Sequence, residues 1–263
     1  MTRPNEYIEG LRLYHKKLEG LLTKQYNVKP EYLETLSWGY HTTAFYIKAD
    51  NGKEYLLKMT DWSRDKEAGI TKDVELSTRL GNVIPTPTYI KTNQGGYICK
   101  FENKLLRLSN YISGVAPLDM NFNVLEQMAL ILRKIHETDR PQDKNVLLHG
   151  DLTPHNVLVS FDKVVAVMDF ELSIMGPREW DLARTAVFSW NYMQKTNFEE
   201  VAHFVLEKYG HKGISADLLY KYAVENAKGF LMAVEQYKSN YDRVGDWQRD
   251  RAFALAQLTK LLL

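Results

Sequence analysis

The sequence predicts an α+β protein of two lobes, a small β-rich N-terminal lobe with one internal helix and a larger, mostly helical C-terminal lobe. Three observations predict it. Ala44–Lys48 and Glu54–Lys58 are short strand-like runs flanking Asp50-Asn51-Gly52-Lys53, and Asn-Gly between such runs supplies the positive φ of a tight hairpin. From Val124 onward the apolar residues recur at helical spacing over long stretches. Within that helical part, one segment from His149 to Glu171 breaks into short strands around polar residues. The length, 263 residues with 44% hydrophobic content, allows a two-lobed protein with a real core.

The elements follow in order. Tyr7, Ile8, Leu11, Tyr14, Leu18, Leu21 and Leu22 make an amphipathic helix fit to cover a sheet. From Leu33 to Lys58 the pattern is that of strands, with Ser37–Thr43 as a loop before the hairpin. A helix is expected from about Lys66 to Leu80, stopped by Pro85 and Pro87. Tyr97–Phe101 and Lys104–Leu108 read as two more strands. The lobe boundary is expected near Asn110-Tyr111-Ile112, dividing residues 1–109 from 110–263. Val124, Leu125, Met128, Ile131, Leu132 and Ile135 share one helical face, and further helices are expected over Phe198–Tyr209, Leu218–Tyr237 and Trp247–Leu262.

Composition narrows the class. Lysine and arginine number 34 against 33 acids, a net charge of +1, which speaks against a general nucleic-acid or membrane-surface binder. Cys99 is the single cysteine, so no intrachain disulfide forms, and it reads as a small buried residue. Met1–Glu6 has no apolar signal core and no run reaches the length of a membrane span, so a cytoplasmic protein, monomeric or dimeric, is expected.

The chemistry gathers in His149-Gly150-Asp151-Leu152-Thr153-Pro154-His155-Asn156, followed by Met168-Asp169-Phe170-Glu171. Phosphoryl transfer needs a group that accepts the nucleophile's proton and metal ions that neutralise developing charge. Asp151 suits the first task; Asn156 and Asp169 offer the hard oxygen ligands that Mg²⁺ prefers. Val157-Leu158-Val159 and Val164–Met168 read as two strands joined at Asp162-Lys163. Asp and Asn after a strand also make turns by bonding their own backbone. His149, Asp151 and His155 as a zinc cluster is a weaker reading, because no other His-rich stretch supplies ligands.

These residues, in order and spacing, resemble the catalytic and metal-binding loops of the aminoglycoside phosphotransferase and choline kinase families, relatives of protein kinases. The resemblance is good over Leu33–Ala183 and weak beyond. It implies a protein-kinase-like fold and an ATP-dependent transfer of the γ-phosphate to a hydroxyl of a small acceptor, with ATP (GTP not excluded) and Mg²⁺ as cofactors. It implies Asp151 as the base, and Asn156 and Asp169 as metal ligands. Glu171, two residues after Asp169, faces the same way in an extended chain and is a candidate further ligand. His149 orders the loop, His155 is a candidate for the acceptor site, and Asp181 in Gly176–Ala183 is a buried anchor.

On the nucleotide side the resemblance implies that Lys58, closing the second hairpin strand, meets the phosphates, oriented by an acid of the next helix. Glu75 is preferred to Glu67. Gly39, Thr42 and Thr43 lie where a phosphate-covering loop is expected, without the glycine-rich signature of protein kinases. Asn110, Tyr111 and Ile112 occupy the expected base-binding hinge. No long activation segment and no Ala-Pro-Glu follow Asp169, which argues against a protein kinase. A nucleotide-binding module without transferase activity has no need of Asp151.

Family acceptors include aminoglycosides, amino alcohols, homoserine and sugars. Trp180, Trp190, Tyr192, Glu225, Asn226, Glu235, Tyr237 and Trp247 are candidates for holding one, a cationic amine above all. Aromatics at helical spacing also serve as core, and clear acid clustering for an aminoglycoside is lacking.

Overall fold

The computed structural model describes residues 4–38, 42–138, 145–193, 196–210 and 213–236. The chain divides into two compact units, Met1–Arg79 with Pro87–Ile112, and Leu80–Thr86 with Ser113–Leu263.

The first unit opens with helix α1 (Pro4–Tyr26). Its sheet is antiparallel, with strands β1 (Pro30–Trp38), β2 (Thr42–Ala49), β3 (Glu54–Asp61), β4 (Ile98–Phe101) and β5 (Lys104–Asn110) in the spatial order β1-β2-β3-β5-β4. The hairpin lies where Asn51-Gly52 predicts it, with Gly52 at φ +77. Alternation along β2 and β3 sends Phe45, Ile47, Leu57 and Met59 to one face, where Leu18, Leu22 and Tyr26 of α1 cover them. Cys99 is buried in the same cluster. Helix α2 (Arg64–Leu80) follows β3. It presents Asp73 to Arg107 of β5, and Arg107 is the cross-strand partner of Lys58, so the three share the other face. The loop expected over Ser37–Thr43 is largely strand, because β1 runs through Trp38 and β2 starts at Thr42.

In the second unit helix α3 (Phe122–Thr138) buries its predicted face, Val124, Leu125, Met128, Ile131, Leu132 and Ile135. Two ribbons interrupt the helices: β6 (Asn145–Leu148) with β9 (Ile174–Pro177), and β7 (Val157–Ser160) with β8 (Lys163–Val167). Helices α4 (Arg178–Trp190), α5 (Phe198–Tyr209) and α6 (Ala216–Gln236) complete the described part. The α5 limits are those the sequence predicts, set by Asn197, whose side chain accepts from the Glu200 N–H, and by left-handed Gly210. The β6–β9 ribbon and α4 are not anticipated. The expected helix at Trp247–Leu262 lies outside the described residues.

Candidate active site

The loop His149–Asn156 is built around a carboxylate from α4. Asp181 is 1% exposed; its Oδ2 accepts from the His149 N–H at 2.7 Å and its Oδ1 from the Gly150 N–H at 3.0 Å. His136 of α3 adds its Nε2 at 3.1 Å to Oδ2. A carboxylate only accepts, so Nε2 carries a proton, and the ring's Nδ1 is hydrogen-bonded to the Tyr209 hydroxyl at 2.9 Å. Burial pushes the Asp181 carboxyl up, but the hydrogen bond from His136, electrostatic attraction to the His136 and His149 rings and the Gly150 N–H outweigh it, and the carboxyl stays below its usual range. His149 holds the loop from within: its Nδ1 accepts from the Asp151 N–H, and its carbonyl accepts from the Ser173 hydroxyl. Gly150 sits at φ +83, and a Cβ there would come 2.3 Å from the Leu172 carbonyl oxygen, so only glycine fits.

Asp151, thus placed, meets two side chains. Asn156 Nδ2 donates to its Oδ2 at 2.8 Å and to its backbone carbonyl at 2.9 Å. Both facing atoms are acceptors, which fixes the amide orientation and turns the Asn156 Oδ1 away from Asp151. Arg184 of α4 donates Nε at 2.8 Å, and its Nη2 lies 2.7 Å away, both to Asp151 Oδ1. Asn156 precedes β7 and Asp169 follows β8; the ribbon's open end, extended by the Met168 N–H on the Asn156 carbonyl, brings the two to one place. The oxygens of Asn156 and Asp169 fit a hard cation such as Mg²⁺.

Asp169 is left-handed, φ 70 and ψ 65, and a single 3-10 turn, Phe170–Leu172, follows. The chain here is not extended, so the alternation that paired Glu171 with Asp169 does not apply. No group of three His, Cys, Asp or Glu side chains is gathered for a metal among the described residues. His155 bonds Tyr192 through Nε2 at 2.7 Å, in a perpendicular ring contact. The chain then passes through β9 straight into α4.

In the first unit Lys58 is half-buried on β3 between Ala44 and Arg107. Glu75, the acid preferred for it, is exposed on α2, and Glu67 is engaged by Lys100 at 2.8 Å and the Trp62 indole at 2.9 Å, which hold its carboxyl low. The inward acid of α2 is Asp73, 1% exposed, accepting from the Tyr89 hydroxyl at 2.6 Å, with Arg107 at 3.7 Å. Asp73 stands two residues before Glu75, and the sequence reading, which weighs Glu67 and Glu75, passes it over. Gly39 lies outside the described residues. The Thr42 hydroxyl is bonded to that of Thr60 across the β2–β3 pair, and Thr43 pairs with both Trp38 and Met59. At the expected hinge the Asn110 N–H donates to the Thr88 carbonyl and the Tyr111 N–H to the Glu54 carbonyl, ahead of Ile112.

Of the acceptor candidates, Trp190 is core, packed on Phe198 with its indole N–H on the Thr196 carbonyl. Trp180 lies against the Arg184 guanidinium, and Asn226 accepts from Arg184 Nη1 at 2.9 Å. Glu225 is exposed. Tyr237 and Trp247 lie outside the described residues, as does the Glu235 side chain. Arg184 is the residue sequence reasoning missed. The signal available was a basic residue directly after Asp181-Leu182-Ala183, one turn from the anchor.

Residues 139–217 match the sequence profile described as the phosphotransferase enzyme family. No curated protein matches the chain by sequence. Among solved structures, spectinomycin phosphotransferase APH(9)-Ia in complex with ADP and spectinomycin is similar, with a TM-score of 0.67 at 14% identity over 93% of each chain. Aminoglycoside phosphotransferase APH(4)-Ia gives a TM-score of 0.66 at 17% identity over 94% of this chain and 98% of that one. A GDP and kanamycin complex of APH(2")-IIia gives 0.63 at 13% identity, over 94% and 98%. The fold is that of these kinase-like enzymes, a β-rich N-terminal part and a helical C-terminal part.

Proposed function

We propose that this chain, whose catalytic segment matches the phosphotransferase enzyme family and whose fold is that of the aminoglycoside phosphotransferases, is an active ATP-dependent small-molecule kinase. It transfers the γ-phosphate to the hydroxyl of a small acceptor: an aminoglycoside, an amino alcohol, homoserine or a sugar. The observation that carries this reading is the pairing of Asp151 with Asn156, a base and a hard amide oxygen donor held together by two bonds at 2.8 and 2.9 Å. Such a pair has no use in a protein that only binds nucleotide.

In this reading Asp151 orients the acceptor hydroxyl and takes its proton as the oxygen attacks phosphorus. Asn156 and Asp169 would hold Mg²⁺, which supplies charge neutralisation at the transferring phosphate when bound; Glu171 is kept as a further ligand. Lys58 is assigned to the phosphates, with buried Asp73 in the role expected of Glu75. In this reading residues 1–109 are the nucleotide lobe, Gly39, Thr42 and Thr43 are assigned to the phosphates, and residues 110–263 are assigned the hinge and the acceptor site. With the Asn110 and Tyr111 N–H groups engaged, the Ile112 N–H is assigned to the base. APH(9)-Ia bound ADP and APH(2")-IIia bound GDP, so both purines belong in the assay. No helix among the described residues is long and apolar enough to cross a membrane, and action in the cytoplasm fits that.

The test is a γ-phosphate transfer screen with Mg·ATP and Mg·GTP against aminoglycosides, amino alcohols, homoserine and free sugars, with Asp151→Asn alongside. One acceptor class is expected to be phosphorylated, and Asp151→Asn to lose about 10²–10⁴ in rate. Transfer that survives Asp151→Asn overturns the assignment of the base. No transfer at all, despite nucleotide binding, overturns the reading as a kinase for these acceptors.

A further inference from the structure

We infer that Arg184 is a positioning residue that decides which oxygen of Asp151 receives the acceptor's proton. The inference rests on the kinase reading above for its chemistry, but its geometry stands independently. A carboxylate offers about four lone-pair sites over its two oxygens. Arg184 fills those of Oδ1, with Nε at 2.8 Å and Nη2 at 2.7 Å. Asn156 Nδ2 takes one site on Oδ2 at 2.8 Å. The site left over is on Oδ2, the oxygen beside the amide assigned to metal binding. The acceptor O–H therefore donates to Oδ2. As its oxygen forms the bond to the γ-phosphorus, the proton passes to Oδ2, and the bond from phosphorus to the bridging oxygen breaks, its electron pair leaving with ADP.

The guanidinium is itself held by further partners, which a mere surface ion pair is not. Its Nη1 donates to Asn226 Oδ1 at 2.9 Å, and Asn226, 6% exposed, is fixed in turn by its Nδ2 on the Tyr222 carbonyl at 2.9 Å. The Phe188 ring lies 4.8 Å and the Trp180 ring 5.6 Å from its central carbon. Arg184 and Asp151 remain about one fifth exposed, so the pair is open to a ligand, at 21% and 22%. A planar fork locked by α6 and two aromatic faces imposes one carboxylate orientation, which a lysine, with a single mobile ammonium, does not.

The test uses the whole enzyme with two arms. In the first, crystal structures of Arg184→Ala and Arg184→Lys report the Asp151 side chain; rotation or two conformers are expected. In the second, hydrolysis of Mg·ATP with water as acceptor reports chemistry. A fall of about 10- to 100-fold in kcat with KM for ATP unchanged is expected for Arg184→Ala, with a smaller fall for Arg184→Lys. Guanidinium ion added to Arg184→Ala is expected to restore part of kcat, which a role in folding alone does not allow. Asp151 held in its parental orientation, or parental kcat in Arg184→Ala, overturns the inference. If the parent enzyme hydrolyses no ATP, the structural arm alone decides the role of Arg184, and the acceptor screen decides the kinase reading.

Discussion

Gly150 shows how narrowly one residue can be specified. Its φ of +83 and the Leu172 carbonyl at 2.3 Å from a built Cβ both exclude a side chain. Gly150→Ala is expected to cost at least about 1–3 kcal/mol from backbone strain, before the clash is counted. A urea midpoint well below the parent's checks this, and an unchanged midpoint refutes it. Asp181 is a second such residue. Asp181→Asn turns an NH₂ group toward the His149 or Gly150 N–H, and leaving a buried donor of this kind unpaired costs about 1–3 kcal/mol. The pH dependence has a defined sign. The folded carboxyl titrates below its ordinary value of 3.8, so its stabilisation is complete above that pH and is lost as pH falls through the folded value. Urea titrations above and below pH 3.8 are expected to show a steeper acid loss in the parent than in Asp181→Asn. At this scale the sequence makes Asp151, Asn156 and Asp169 visible, because their spacing is local. Arg184 and Asp73 are not visible there, since what marks them is contact with residues far along the chain, Asp151 and Arg107.

Elements whose ends carry their own chemistry are legible from the sequence alone. Asn197 and Gly210 bracket α5, and Asn51-Gly52 makes the β2–β3 turn. Helix α4 is not, because its inward face carries Asp181, Thr185 and Ser189 among the apolar residues, and so breaks the hydrophobic period. Two of those polar groups have partners that explain their place inside: the Thr185 hydroxyl donates to the Leu152 carbonyl, and Asp181 holds the loop. The β6–β9 ribbon has four residues a strand, too short for a pattern. Packing gives a prediction at this scale. Leu57 is fully buried between α1 and the sheet, and Leu57→Ala is expected to cost about 2–5 kcal/mol. The exposed control Glu75→Gln is expected to stay within about 0.5 kcal/mol. Equal losses in the two variants by chemical denaturation contradict the packing described for β3.

The molecule as a whole carries a net charge of +1 and divides into two compact units. A ligand that binds only the folded state stabilises it by mass action. Mg·ATP at a hundred times its Kd is expected to add about 2.7 kcal/mol, read as a rise in Tm. Chelating Mg²⁺ is expected to remove most of that rise in the parent, and Asp169→Ala to remove it with Mg²⁺ present. A rise indifferent to chelation and to Asp169→Ala counts against Asp169 as a ligand.

The Asp181 anchor has a consequence in time as well as in energy. Ordering a residue's backbone costs about 1–2 kcal/mol of conformational entropy. Here that cost falls at folding, because the His149 and Gly150 amides are already bonded to a carboxylate 1% exposed. Their hydrogens can exchange with solvent only when the loop leaves the Asp181 carboxylate. The loop that would perform the reaction is thus ordered at folding, and a substrate arriving finds it set.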